Sequence, residues 1–206
     1  MRRSATTSLE RWTGARPPIL RKVYRYPGFR GPLRGILRNT CLAPSRVARE
    51  FRALKHLAAL GLQPDLALGF REERRLGFLR RAELWMLDFG GKDLESLGAS
   101  PPRETGFWEG LRTFLLGLRG SGLVDPDLWA RNLLYRAEDH RFAKIDASAS
   151  VLLPPARARR SALRNELILL AELRRLGFPV DHLEALGQAL GHPGGIGTTG
   201  INPSGR

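Results

Sequence analysis

One glutamate places a long-range demand on this chain. Residues 44–61, PSRVAREFRALKHLAALG, read as an amphipathic helix, with Ser45 as its N-cap after Pro44 and Gly61 as its C-terminal stop. At about 100° per residue, Val47, Phe51, Leu54, Leu57 and Ala58 share one apolar arc, while Arg49, Arg52 and His56 point away from it. Glu50 falls inside that arc, between Leu54 and Leu57. A carboxylate buried there is costly unless a cation meets it. Either another element delivers that cation, or Glu50 snorkels out at the edge of the stripe.

Lysine is the scarce cation. The chain has 34 Lys and Arg against 20 Asp and Glu, yet its lysines are only Lys22, Lys55, Lys92 and Lys144. Lys55 lies on the outward side of the Glu50 helix, and Lys92 and Lys144 come after the first half. Lys22 lies in PPILRKVYRY (17–26), whose Ile19, Val23, Tyr24 and Tyr26 give it strand composition between Pro17-Pro18 and Pro27-Gly28. Only Lys22 sits in a strand before the Glu50 helix, so it is the natural partner.

The rest of the first half reads as sheet and connector. Residues 27–44 are rich in Gly, Pro and Arg and read as irregular, with at most a short helical turn. Two apolar runs, LALGF (66–70) and AELWMLDF (82–89), flank a charged turn REERR, as in an antiparallel pair. After Gly90-Gly91 the composition changes, placing a lobe boundary near residue 91. KDLESLGASPPRE reads as a connector with a short helix, and GFWEGLRTFLLGLRGSG (106–122) as a buried helix. Two more helices fit 160–176 and 180–190. The Gly-rich stretch 191–206 has the composition of a disordered tail.

The second polar constellation lies in between. In GLVDPDLWARNLLY (122–135), Asp127 and Asn132 stand five apart. Strand LLY, turn RAEDH and strand RFAKI then lead to Asp146, so a hairpin returns Asp146 beside the loop. Phosphoryl transfer needs such parts. A lysine reaches the nucleotide phosphates and a carboxylate holds it; an aspartate orients the acceptor hydroxyl; an Asn and a second Asp hold Mg²⁺. Hard oxygen ligands suit that ion. Each signal alone has a plain alternative, Asp127 as a polar turn and Asp146 as a strand-end residue. Their joint order matches strand Lys, helix Glu, loop Asp-x-x-x-x-Asn and metal Asp. The literal Asp88-Phe89-Gly90 is a decoy, because it precedes the loop it should follow and ends an apolar strand.

The segments LRKVYRYPGFRGPLRG, APSRVAREFRALKHLAALGL and DPDLWARNLLY…KIDASA resemble the bacterial lipopolysaccharide kinase family, over roughly residues 17–150. The resemblance lies in the K-x-Y-R strand, the A-R-E-F-R-A-L helix and the D-L-x-x-x-N loop. It implies an α+β, reduced bilobal protein-kinase-like fold. The N-lobe, 1–91, would hold a small antiparallel sheet and the Glu50 helix, and a mainly helical C-lobe, 92–190, the catalytic hairpin. It also implies ATP- and Mg²⁺-dependent phosphorylation of a heptose or Kdo hydroxyl in the lipopolysaccharide core. Lys22 matches the phosphate lysine and Glu50 its ion-pair partner. Asp127 matches the catalytic aspartate, and Asn132 and Asp146 the metal ligands.

The departures are specific. Asp125-Pro126 replaces the usual His-Arg before the catalytic aspartate, so Asp125 competes with Asp127 for the base role; the five-residue spacing to Asn132 favours Asp127. No Gly-x-Gly loop precedes Lys22, where only Gly14 is present, and about twenty residues barely allow the two strands of a full nucleotide lid. No Ala-Pro-Glu segment follows Asp146, which favours a small or glycan acceptor over a peptide. A catalytically inactive pseudokinase scaffold is the alternative these departures raise.

Charge and composition bound the remaining classes. A net charge of +14 attracts polyanions such as anionic lipid headgroups, core phosphates or nucleic acid, unless it is a solvated surface. The arginine-rich segment 30–52 is the candidate for the membrane surface, in a cytoplasmic protein peripheral on the inner membrane. A basic nucleic-acid-binding module lacks its usual sequence features here: zinc spacing, an RNP-like strand or a basic helix. One cysteine, Cys41, excludes an internal disulfide framework and has no activating histidine nearby. No run of about 18 apolar residues appears. Trp12, Trp85, Trp108 and Trp129 read as packing residues, and His56, His140, His182 and His192 as surface residues without metal spacing.

Overall fold

The computed structural model describes residues 6–15, 17–26 and 44–192. Its first half is a four-stranded antiparallel sheet with one helix against it. Strands β1 (Thr6–Trp12), β2 (Ile19–Arg25), β3 (Ala67–Arg75) and β4 (Phe78–Leu87) take the order β1-β2-β4-β3. Side chains alternate across a strand, so Lys22 and Tyr24 share one face of β2. Their neighbours on β4 are Leu84 and Ala82. β1 is the one strand before Lys22 among the described residues.

The charged segment REERR is strand, not turn. The reversal falls instead at Leu76-Gly77, where both residues have positive φ, 52° and 77°. Two consecutive left-handed residues match the twist of a tight hairpin and carry pairing to Arg75↔Phe78. Charged residues are tolerated there because β3 alternates between exposed and half-buried positions, and Arg74 donates to Glu72 at 2.7 and 2.9 Å.

Helix α1 (Arg46–Ala59) begins where Ser45 Oγ accepts from the Ala48 amide at 3.0 Å. It ends at Gly61, φ 70°, where a left-handed residue closes the last turn. Its apolar face serves two cores. Val47 and Leu54 pack with Tyr24, Ala67, Leu79, Ala82, Leu84 and Met86 under the sheet. Ala53 and Leu57 reach into the larger helical core.

That second core is built from α2 (Leu94–Leu97), α3 (Thr105–Gly120), α4 (Pro155–Arg175) and α5 (Val180–Ala189). Two small sheets sit among them, β5 (Lys92–Asp93) with β7 (Leu133–Arg136) and β8 (Arg141–Lys144), and β6 (Leu123–Val124) with β9 (Val151–Leu152). Helix α4 starts at Pro155, before the expected residue 160, because a proline in the first turn forfeits no helical hydrogen bond. Phe107 anchors this core, its ring centroid 4.8 Å from Tyr135 and 5.4 Å from Phe142. Trp108 is buried, but Trp12 is 52% exposed on the edge strand and is not a packing residue. Buried His192 is no surface residue either, since its Nε2 lies 3.1 Å from Glu166 Oε2. Cys41, the irregular segment 27–43 with its arginines, and the tail beyond residue 192 lie outside the described residues.

Helix α3 approaches β8 through glycine. A Cβ on Gly110 would lie 2.5 Å from the His140 carbonyl oxygen, which is backbone and cannot swing aside. A Cβ on Gly120, at the end of the same helix, meets nothing within 4 Å. Gly110→Ala should destabilise the fold by about 1–3 kcal/mol, the usual cost of overpacking. Gly120→Ala should be neutral or stabilising by up to about 1 kcal/mol. Urea unfolding of the two variants separates close packing from helix propensity.

Candidate active site

The demand raised by Glu50 is met across the fold. Glu50 is fully buried, and Lys22 Nζ donates to its Oε1 at 3.0 Å and Oε2 at 3.3 Å. The same ammonium donates to Asp146 Oδ1 at 2.9 Å. Lys22 thus bridges a helix in one half of the chain and the end of β8 in the other. Tyr24, two residues along the strand and on the same face, donates its hydroxyl to Glu50 Oε2 at 2.8 Å. Its ring also lies under the ammonium, 5.2 Å from Nζ to centroid.

Electrostatics separate the two carboxylates. Burial raises the Glu50 pKa above the ordinary glutamate value, Lys22 opposes that rise, and Asp146 adds to it. Burial also acts to raise Asp146, but Lys22, Lys144 and a Ser148 hydrogen bond outweigh it and leave its pKa low. Asp146 therefore stays ionised, and at 48% side-chain exposure it faces solvent. Its backbone is left-handed, φ 53°, a conformation that costs an L residue about 1–2 kcal/mol. Burial keeps the Tyr24 phenol protonated, with Glu50 reinforcing it, so that it remains a donor.

The loop between β6 and β7 holds the other polar residues. Asp127 is half-buried and Asn132 is buried at the end of a 3₁₀ turn, Ala130–Asn132. Asn132 Nδ2 donates to the Asp127 carbonyl at 2.9 Å, which leaves its side-chain oxygen free of that bond. The Asn132 carbonyl accepts from the Ile145 amide at 2.9 Å, so Asn132 is tied to the residue before Asp146. Glu172 Oε2 on α4 accepts from the Ala130 amide at 2.8 Å and fixes the turn from below.

Asp125, weighed against Asp127 on sequence, is engaged on both oxygens. It is 3% exposed; Oδ1 accepts from the Asp127 amide at 2.8 Å, and Oδ2 lies 2.8 Å from Lys144 Nζ. Lys144, set aside on sequence order, is the fully buried cation of this second pair. Tyr24 and Lys144 were the residues missed. Both left a signal: Tyr24 lies at strand period from Lys22, and a lysine inside the apolar run FAKI calls for a partner as Glu50 does. The decoy Asp88 binds Arg11 at 2.7 Å and the Gly90 amide at 2.9 Å, far in role from the Lys22 cluster.

No protein-family model and no curated protein matches the sequence. In three dimensions the chain matches the structure of WaaP in complex with acyl carrier protein, with TM-score 0.52 and 16% identity, over 91% of this chain and 80% of that one. Monomeric WbdD aligns at TM-score 0.45 and 18% identity over 78% of this chain. A structure of the bifunctional kinase-methyltransferase WbdD aligns at 0.44 and 17% over 77% of this chain. The matches span 35% and 32% of those WbdD chains. The α+β, reduced protein-kinase-like fold implied by the sequence resemblance is therefore the fold of this chain.

Removing Lys22 strands Glu50. Lys22→Met should destabilise the protein by about 3–5 kcal/mol near pH 8, the cost of leaving a buried charge uncompensated. The loss should shrink as the pH is lowered toward 5. Glu50 has a folded-state pKa above its unfolded one, so the folded state takes up the extra proton and stability rises as pH falls through that window. Denaturant unfolding at the two pH values checks both the size and the sign.

Proposed function

We propose that this protein is an ATP-dependent phosphotransferase that phosphorylates a sugar hydroxyl, heptose or Kdo, of the lipopolysaccharide core. One observation carries the reading: a single lysine ammonium held between buried Glu50 and solvent-facing Asp146, with the Asp127–Asn132 loop tied to the same strand end. In this reading the N-lobe spans 1–91 and the C-lobe 92–190. The resemblance of the K-x-Y-R, A-R-E-F-R-A-L and D-L-x-x-x-N segments to lipopolysaccharide kinases supplies the substrate class.

The donor set fits a magnesium nucleotide. The Asn132 side-chain oxygen and Asp146 Oδ2 are the oxygens not engaged by Asp127 or Lys22, and Mg²⁺ typically takes one or two protein oxygens together with substrate phosphates. Among the described residues no cluster of three or more His, Cys, Asp or Glu forms, in keeping with a site completed by the nucleotide. Bound there, the ion would neutralise charge on the transferring phosphoryl group.

The protein's own residues do the positioning. Lys22, fixed by Glu50 and Tyr24, presents its ammonium to the α- and β-phosphates. Asp127 accepts a hydrogen bond from the sugar hydroxyl and aligns it for in-line attack on the γ-phosphate. Catalysis of this kind rests on orientation and fixed charge. Among the described residues no helix is long and apolar enough to cross a membrane. The reading places the protein at the cytoplasmic face of the inner membrane, where exposed Arg46 and Arg52 on α1 would meet anionic headgroups or core phosphates.

Calorimetry of ATP with and without Mg²⁺ tests this. Wild type should bind ATP in a Mg²⁺-dependent manner and Asp146→Ala should lose that dependence. Asp127→Asn should keep binding, while phosphate transfer to lipopolysaccharide core falls by about 10²–10⁴-fold, the range for an acid–base or orienting group. Nucleotide binding without transfer in wild type would favour the pseudokinase scaffold. A well-folded wild type that binds no nucleotide would refute the kinase reading and leave the inactive scaffold.

A further inference from the structure

The Asp125–Lys144 pair is not used by the chemistry above, and it is more deeply buried than the pairs that Lys22 makes. The two side chains are 1% and 0% exposed, against 12% for Lys22. Two charges removed from water in this way rarely add net stability, because a well-packed apolar pair of the same volume does as well or better. What the pair does add is geometry. Asp125 Oδ1 accepts from the Asp127 amide, across Pro126, whose ring fixes one backbone torsion. Lys144 Nζ donates to the Ile145 carbonyl at 2.6 Å, one peptide before Asp146.

The contacts form a closed circuit. From the Asp127 amide it runs through Asp125 to Lys144 and on to Ile145. The Ile145 amide donates to the Asn132 carbonyl at 2.9 Å, and Asn132 Nδ2 donates back to the Asp127 carbonyl at 2.9 Å. The circuit is braced from outside by two further side chains. Asn165 of α4 donates to the Asp125 carbonyl at 2.8 Å, and Gln63, just after α1, accepts from the Lys144 amide at 2.9 Å. Asp127, Asn132 and Asp146 of the proposed transfer site therefore lie on, or next to, this one ring.

We propose that Asp125 and Lys144 are positioning residues: their buried ion pair sets the register between the Asp127–Asn132 loop and the strand end that carries Asp146, so that the metal-binding oxygens of Asn132 and Asp146 converge. This rests on the phosphotransfer reading above and adds to it a role for Asp125, one of the two residues at which the loop departs from the His-Arg pattern, and for its partner Lys144 on β8. Asp125 stands where a histidine is usual, and Lys144 supplies the charge that lets a carboxylate occupy a dry position there.

The test uses the full chain and reads the gain in ATP affinity on adding Mg²⁺, beside affinity without metal and thermal stability. In Asp125→Asn/Lys144→Met the buried charges leave together, so no lone ion is stranded. The double variant should fold and keep its metal-free ATP affinity within about threefold, since Lys22 and Glu50 are untouched, but lose at least tenfold of the Mg²⁺-dependent gain. A single Asp125→Asn also keeps the Lys144 hydrogen bond to the Ile145 carbonyl and should lose less of the gain, at the stability cost of a stranded ammonium, and it is read in the same way if the double variant does not fold. A folded variant with the wild-type Mg²⁺ gain overturns the positioning role and leaves the kinase reading standing. Equal loss of metal-free and Mg²⁺-dependent affinity also overturns it, since that marks a structural pair only. Wild type without Mg²⁺-dependent binding overturns the kinase reading and this role with it.

Discussion

The ammonium of Lys22 holds the candidate site together. It meets Glu50 on α1 and Asp146 at the end of β8, two carboxylates that come from opposite halves of the chain. Neither half can place the site alone. The sheet delivers the cation, the helix delivers a carboxylate buried enough to require it, and the hairpin delivers a second carboxylate that remains exposed. Two carboxylates close to one ammonium take different pKa directions because one is buried and the other faces solvent. Burial drives Glu50 up, and the cation keeps Asp146 down. The result is one structural anion and one anion available to a ligand.

The position of α1 follows from the same constraint. Its apolar stripe is wide enough to serve both cores, with Val47 and Leu54 facing the sheet and Ala53 and Leu57 facing the helical half. Glu50 lies between these two sets, at the seam, where Lys22 and Asp146 also arrive. A helix that packed on the sheet alone would leave Glu50 beside Lys22 but without the β8 strand end. Close approach elsewhere reinforces the arrangement, as where Gly110 lets α3 settle against the β7–β8 turn.

Much of this was legible in the sequence, for reasons that differ by element. The Glu50 helix carried its own cap, stop and stripe, and the anomaly in the stripe announced a partner. The β7–β8 hairpin was legible from apolar strands around a polar turn. The REERR segment was misread because charge density resembles a turn, whereas half-solvated antiparallel strands accept charges that pair with one another. Trp12 was misread because an edge strand leaves one face uncovered, and His192 because a buried histidine needs only one carboxylate to satisfy it. Order along the chain does not reveal Lys144, whose signal is its place inside an apolar strand, where a buried ammonium requires a partner.

The sequence by itself determined the local facts: where helices start and stop, which strand faces are apolar, and that a buried carboxylate needs a cation. Those depend on periodicity and on the cost of burying charge, both of which are properties of residues and their spacing. The tertiary structure alone decided that Lys22 also reaches Asp146 and that Lys144 answers Asp125. Lys22 serves Glu50 and Asp146, while Lys144 serves Asp125, although all four lysines were available in the chain. The reason is physical. An ion pair is specified by distance and by exclusion of water, and only the packing of the elements that carry its partners fixes either one.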